Sequence, residues 1–166
     1  MPDSIDRPCL VSPAQYRAAM GLVPAAVTII TARHGALRNG LTATAVTSVS
    51  AEPPQLLICV NRQASAEPLI DGAGRFAVNI LTPAHEDAAR RFAQSKLSAE
   101  ERFAGGWIDL PSGVPALADA LAVFDCRVVQ QSRLGTHSLF IGEVLEIATG
   151  AGEPLLYHAG RYRTLA

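Results

Sequence analysis

Asn39-Gly40-Leu41-Thr42-Ala43-Thr44-Ala45-Val46-Thr47-Ser48-Val49-Ser50, stopped by Ala51-Glu52-Pro53-Pro54, is the stretch on which the fold turns. Taken as a strand of period two, its odd positions Leu41, Ala43, Ala45, Thr47 and Val49 form a small, mostly apolar face. Thr42, Thr44, Ser48 and Ser50 fall on the other. Small side chains let a flat ligand come close to the backbone, whose N–H and C=O groups then read its polar edge, while hydroxyls hold a phosphate. A half-exposed antiparallel strand with a solvated threonine face carries the same pattern, so the segment alone leaves both uses open.

Outward from this stretch the chain is rich in further strands. Residues 27–31, 41–50, 56–61 and 76–81 are β-rich runs divided by Gly, Pro and polar turns, and later strands are expected at 122–132, 139–148, 155–157 and 161–164. Helices are short. Ser12-Pro13-Ala14-Gln15 supplies an N-cap, a proline at the first helical position and a back-reaching Gln for a helix to Met20. Ser65 reads as the N-cap of a helix over 66–71. Thr82-Pro83 opens another that turns Ala88, Ala89, Phe92 and Ala93 inward, and Ser98-Ala99-Glu100-Glu101 is a capping box for a shorter one. Strands outnumber helices and do not alternate with them, which favours a closed antiparallel sheet over a doubly wound parallel one. The expected fold is mainly β with short helices, as an N-terminal arm over 1–11 and a single domain over 12–166.

Composition narrows the function. Hydrophobic residues are 49% of the chain and charged residues 17%, a balance that favours covering apolar surface with a second copy. A net charge of -1 and the lack of a basic run argue against a nucleic-acid partner. Cys9, Cys59 and Cys126 make neither a disulfide framework nor a metal-ligand spacing, and are expected to be reduced packing residues, as in a cytoplasmic protein. The start of the chain lacks the order of a signal peptide, and the longest apolar runs, 22–27 and 56–60, are far shorter than a membrane span.

The order of motifs resembles the flavin reductase-like family, the small NAD(P)H:flavin oxidoreductases that supply reduced flavin to two-component monooxygenases. It is carried by 39–54, by the run Gln55-Leu56-Leu57-Ile58-Cys59-Val60-Asn61-Arg62 with Ser65, and by Arg75-Phe76-Ala77-Val78-Asn79-Ile80-Leu81. Arg102-Phe103, Trp107, Pro115-Ala116-Leu117, Asp125-Cys126, Gly135-Thr136-His137, Phe140-Ile141-Gly142-Glu143-Val144 and Pro154-Leu155-Leu156-Tyr157-His158 follow in the same order. The likeness implies a split β-barrel of Greek-key type, a homodimer, FMN (with FAD as the alternative flavin), NADH or NADPH as hydride donor, and an oxygenase partner. It also implies that Thr42, Ala43, Thr44 and Ala45 border the isoalloxazine ring and that Ser48, Asn61, Arg62 and Ser65 hold the ribityl chain and phosphate. Arg102, Phe103 and Tyr162 would line the pocket; an exposed arginine and core aromatics explain those three equally well.

His137 is the candidate catalytic residue, on a Gly-x-His loop between two strands that can bring its imidazole to the nicotinamide side of the flavin. Most family sequences read Gly-Asp-His here, so Thr136 leaves the histidine without an adjacent carboxylate. The Gly-Thr-His form resembles the reductases of pyrimidine-ring-opening oxygenase systems. No GxSxG, HExxH or P-loop is present, and no histidine pair has a zinc spacing. Gly72-Ala73-Gly74-Arg75-Phe76-Ala77 matches G-x-G-x-x-A but precedes a strand where the dinucleotide fingerprint follows one, and reads as a turn. Two other functions stay open: a flavoprotein reductase whose acceptor is a corrin, a metal complex or a protein, and a flavin- or haem-binding barrel without hydride transfer.

Overall fold

The computed structural model describes residues 10–165. Most of the expected arm, and Cys9 with it, lies outside the described residues. Among the described residues twelve strands and four short α-helices follow one another, beginning α1 (Pro13–Met20), β1 (Ala25–Ala26), β2 (Thr28–His34), β3 (Leu37–Ala43), β4 (Val46–Ala51), β5 (Pro54–Asn61), α2 (Glu67–Ala73) and β6 (Arg75–Ile80). Then come α3 (Glu86–Phe92), α4 (Ala99–Arg102), β7 (Trp107–Asp109), β8 (Pro115–Leu117), β9 (Ala122–Leu134), β10 (His137–Thr149), β11 (Leu156–His158) and β12 (Arg161–Arg163).

Seven strands form one antiparallel sheet in the order β3-β2-β6-β9-β10-β5-β4. Its two edges, β3 and β4, are consecutive in sequence and joined only by Thr44 and Ala45. In a flat sheet those edges would stand six strand spacings apart, about 29 Å, whereas the link from Ala43 to Val46 spans at most about 11 Å. The sheet therefore curls until its edges meet without pairing, which is a split barrel. Register shifts in β10 at Ile141/Gly142 and Val144/Glu146 sharpen the curl. Gly142 is required there, because a Cβ would stand 2.5 Å from Phe76 Cζ and 2.8 Å from Cys126 Cβ.

The continuous strand expected over 41–50 is thus two strands. Val46 N–H turns back to the Thr44 carbonyl and Cys59 N–H takes the Ala45 carbonyl. The N–H groups of Thr44 and Ala45 make no hydrogen bond to any described residue.

Period-two alternation divides the core. Ile30, Ile58, Val60, Phe76, Val78, Cys126 and Phe140 pack inside the barrel. Ile29, Ala77, Leu81, Ala89, Phe92, Phe103 and Leu155 pack on the outer side, under α3, α4 and the β7–β8 hairpin. Phe76 and Phe140 are fully buried, which is worth roughly 1.5–3 kcal/mol each over an exposed ring. α1 has the capping box read from the sequence, with Gln15 N–H donating to Ser12 Oγ and Ser12 N–H to Gln15 Oε1, yet none of its residues is buried.

Three local expectations change. α2 starts at Glu67 with Ala66 in the cap position and no side-chain cap bond, because the Ser65 hydroxyl is engaged elsewhere. The first turn after Thr82 is a 3-10 turn over Pro83–His85 that leads into α3. Ala93 ends α3 exposed, while Ala88, Ala89 and Phe92 are buried as expected. The glycine-rich 72–77 segment is the end of α2, where Gly74 adopts φ 61, followed by β6.

Candidate active site

Three clefts meet along the seam where the barrel is split. The first, about 360 Å³, is lined by Gly40, Leu41, Thr42, Asn61, Ser65, Ala93, Gln94 and Arg102 among others. The second, about 400 Å³, is bounded by Ala43, Thr44, Ala45, Cys59, His137, Tyr157 and Tyr162, and shares Leu41, Thr42, Asn61 and Ala93 with the first. The third, about 580 Å³, has Glu86, Arg90 and Arg161 on its walls and joins the second through Ala93, Tyr157 and Tyr162.

The first cleft is organised by a cation. Arg102 is 4% exposed, and its guanidinium donates to Asn39 Oδ1 at 2.6 Å, Ser65 Oγ at 3.0 Å, the Gly40 carbonyl at 3.3 Å and the Gln94 carbonyl at 2.6 Å. Every one of these acceptors is neutral. No carboxylate among the described residues pairs with it, and its Nε has no partner. A buried charge held only by neutral acceptors is incompletely compensated, and an anion entering the cleft completes it. The sequence puts Arg102 there through a one-turn helix capped at Ser98, whose next residue, Phe103, locks into an aromatic cluster at 5.0 Å from Phe92 and 4.8 Å from Trp107.

The second cleft is a bed of small residues with a histidine at one side. Thr42 is tied back by its hydroxyl, which donates to the Ala89 carbonyl at 2.6 Å. The edge-strand break leaves the Thr44 and Ala45 N–H groups for a ligand. Burial pushes the Cys59 thiol up from its ordinary pKa. His137, the first residue of β10, is half-buried, with its Nδ1 2.9 Å from Thr136 Oγ1. Burial also raises the Tyr162 phenol, against the opposing pull of Arg90, whose guanidinium lies 4.8 Å from the ring centre.

Of the residues expected at the site, Thr42, Ala43, Thr44, Ala45, Asn61, Ser65, Arg102, His137 and Tyr162 line these connected clefts. Three are placed otherwise. Phe103 is buried in the aromatic core, not on a cleft wall. Ser48 is exposed on β4 beyond the break and lines none of the three clefts. Arg62 lines an adjoining depression with Glu67, Arg133 and Thr136, which meets the first cleft at Asn61 and Gln63; the arginine that lines the same cleft as Ser65 is Arg102.

Residues 20–166 match the family described as flavin reductase like domain. The chain belongs to that family. FMN reductase (NADH) RutF of Variovorax paradoxus (strain S110) is 45% identical over 161 residues, which cover 96% of this chain and 89% of the relative. NADH:FAD oxidoreductase SgcE6 of Streptomyces globisporus C-1027, solved in complex with NAD and FAD fragments, superposes with a TM-score of 0.86 at 34% identity, over 96% of this chain and 98% of its own. BorF, the flavin reductase component of a bacterial two-component tryptophan halogenase, gives a TM-score of 0.86 at 28% identity, over 93% and 98%.

In this flavin reductase-like chain the Thr136 hydroxyl stands beside the His137 imidazole. Cleft residues that the sequence had not assigned to the site include Cys59, Ala93, Gln94 and Tyr157. Tyr157 had a usable signal, since it pairs directly with Tyr162 across the β11–β12 hairpin, with ring centres 5.4 Å apart. Ala93 and Gln94 had none, because they enter the clefts only through the way α3 ends.

Proposed function

We propose that this chain is an NAD(P)H-dependent flavin reductase, with FMN as its flavin, that supplies reduced flavin to an oxygenase component. The observation that carries the assignment is the conjunction of a buried, uncompensated Arg102 with a contiguous bed of small residues whose backbone donors are free. A flavin mononucleotide has both matching parts, a flat polar-edged ring and an anionic tail. Arg102 and Ser65 would hold the phosphate, Asn61 the ribityl chain, and the Thr44 and Ala45 N–H groups the ring edge. Bound flavin supplies the hydride acceptor, and NAD(P)H the hydride. The protein's share is to orient and to exclude water. His137 bounds the side open to the nicotinamide, held by Thr136, and Tyr157 and Tyr162 wall the passage to the third cleft.

The Gly-Thr-His loop and the relationship to RutF favour the subgroup tied to pyrimidine-ring-opening oxygenases. We read residues 12–166 as one catalytic domain that works as a homodimer in the cytoplasm. The exposed Tyr16, Met20, Leu22 and Val23 in and after α1, a helix with no buried residue, support a second copy. The free thiols Cys59 and Cys126 fit a reducing compartment. Among the described residues no helix is long and apolar enough to cross a membrane.

The deciding experiment is an anaerobic absorbance scan of protein with FMN before and after NADH. Rapid loss of the oxidised-flavin band is expected. Flavin that binds but stays oxidised with both NADH and NADPH would refute the reductase assignment, and absence of binding would refute the cleft.

A further inference from the structure

Ser138 is fully buried, and its hydroxyl donates to Glu67 Oε1 at 2.6 Å. Glu67 is 8% exposed and is the first residue of α2, whereas Ser138 is the second residue of β10. Carboxyl groups are rarely buried without a cationic partner. No ion pair with Glu67 is formed among the described residues, although Arg62 and Arg133 line the same depression; its direct partner is the Ser138 hydroxyl.

The alternation of β10 gives the contact a use. His137 and Ser138 are neighbours on opposite faces of the strand. His137 lines the second cleft, and Ser138 points to the barrel interior with Phe140. Anchoring one face of so short a stretch fixes the other. The segment leaves a turn in which Gly135 takes φ 56, and its backbone is held by the His137 register with Asn61 on one side and Leu134 on the other and by the Arg62 N–H bond to the Thr136 carbonyl, none of which fixes a side chain. Glu67 adds a side-chain brace from the same loop-and-helix segment that carries Ser65.

We propose that Glu67 is a positioning residue for the hydride-transfer site: by holding Ser138 inside the barrel it sets where the His137 imidazole stands at the cleft mouth. Glu67 matters to turnover only if His137 faces the nicotinamide, as proposed above, and the test separates the two. Ring 1H–15N signals of His137, assigned with His137→Gln, are recorded in wild type, Glu67→Ala and Glu67→Gln, alongside NADH kinetics and FMN affinity. Glu67→Gln keeps an acceptor for Ser138. The expected result is a shifted or broadened His137 signal and a KM for NADH raised about tenfold in Glu67→Ala, FMN affinity within about twofold, and both properties restored in Glu67→Gln. Unchanged His137 signals in folded Glu67→Ala overturn the proposal. So does a fall in FMN affinity as large as the kinetic loss, which makes Glu67 a general support of the loop. Shifted signals with unchanged NADH kinetics uphold the brace and refute the role of His137. Should Glu67→Ala not fold, Ser138→Ala removes the donor from the other end and carries the same readouts.

Discussion

Replacing Arg102 with methionine removes the guanidinium while retaining a long apolar stem. In the folded protein the change loses four charge-assisted hydrogen bonds, to Asn39, Gly40, Ser65 and Gln94, at about 1.5–3 kcal/mol each. It also relieves the burial of a cation that no carboxylate balances, which is worth several kcal/mol in the opposite direction. These terms oppose each other, and Ser65 Oγ keeps its bond from Asn39 Nδ2 at 2.9 Å, so the variant is expected to fold. Flavin binding has no such compensation. Loss of one charge-assisted contact to the phosphate is worth about 1.5–3 kcal/mol, or a Kd about 10–150 times weaker. Fluorescence titration with FMN and with riboflavin, which has the same ring and ribityl chain but no phosphate, reads the effect directly. FMN affinity should fall and riboflavin affinity should hold. Equal losses for the two ligands, or FMN affinity within about twofold of wild type, would refute the assignment of Arg102 to the phosphate.

Arg62→Ala removes a side chain that lines the adjoining depression rather than the cleft of Ser65, so it should weaken FMN binding less than Arg102→Met does in the same titration; a larger loss would return the phosphate to Arg62. Gly142→Ala forces a methyl group against Phe76 and Cys126 and should destabilise the fold by about 1–3 kcal/mol, lowering Tm by roughly 2–4 °C per kcal/mol with FMN affinity unaltered. Burial and the neighbouring Asp125 push the Cys126 thiol up to about 12 from 9.0. Folding thus favours the protonated thiol, a contribution intact below the unfolded value and lost as pH rises through the folded one. Urea unfolding from about pH 8 to about pH 11 should show falling stability that Cys126→Ala makes shallower; an unchanged slope would show that the thiol is not responsible.

Local chemistry was legible wherever a few neighbouring residues decide it. The α1 and α4 capping boxes, the turn at 72–77 and the strands β5, β6 and β9 to β12 are nearest-neighbour matters of side-chain reach, backbone freedom and alternation, whereas the short β7–β8 hairpin was not expected. The motif order carried the family, and with it the expectation that Thr42 to Ala45 and His137 belong to one site; they line one cleft. What the sequence could not reveal depends on long-range closure. Residues 41–50 alternate as one strand would, yet the edges of a seven-stranded sheet must meet at Thr44 and Ala45, and that break frees the N–H groups of those two residues. Ser65 looked like a cap until Asn39 and Arg102, distant in sequence, competed for its hydroxyl. Arg62 and Arg102 are equally charged on paper. Only the packing of Phe103 against Phe92 and Trp107 decides which of them is buried beside Ser65, because a guanidinium's partners follow from where its backbone is anchored and not from its neighbours in the chain.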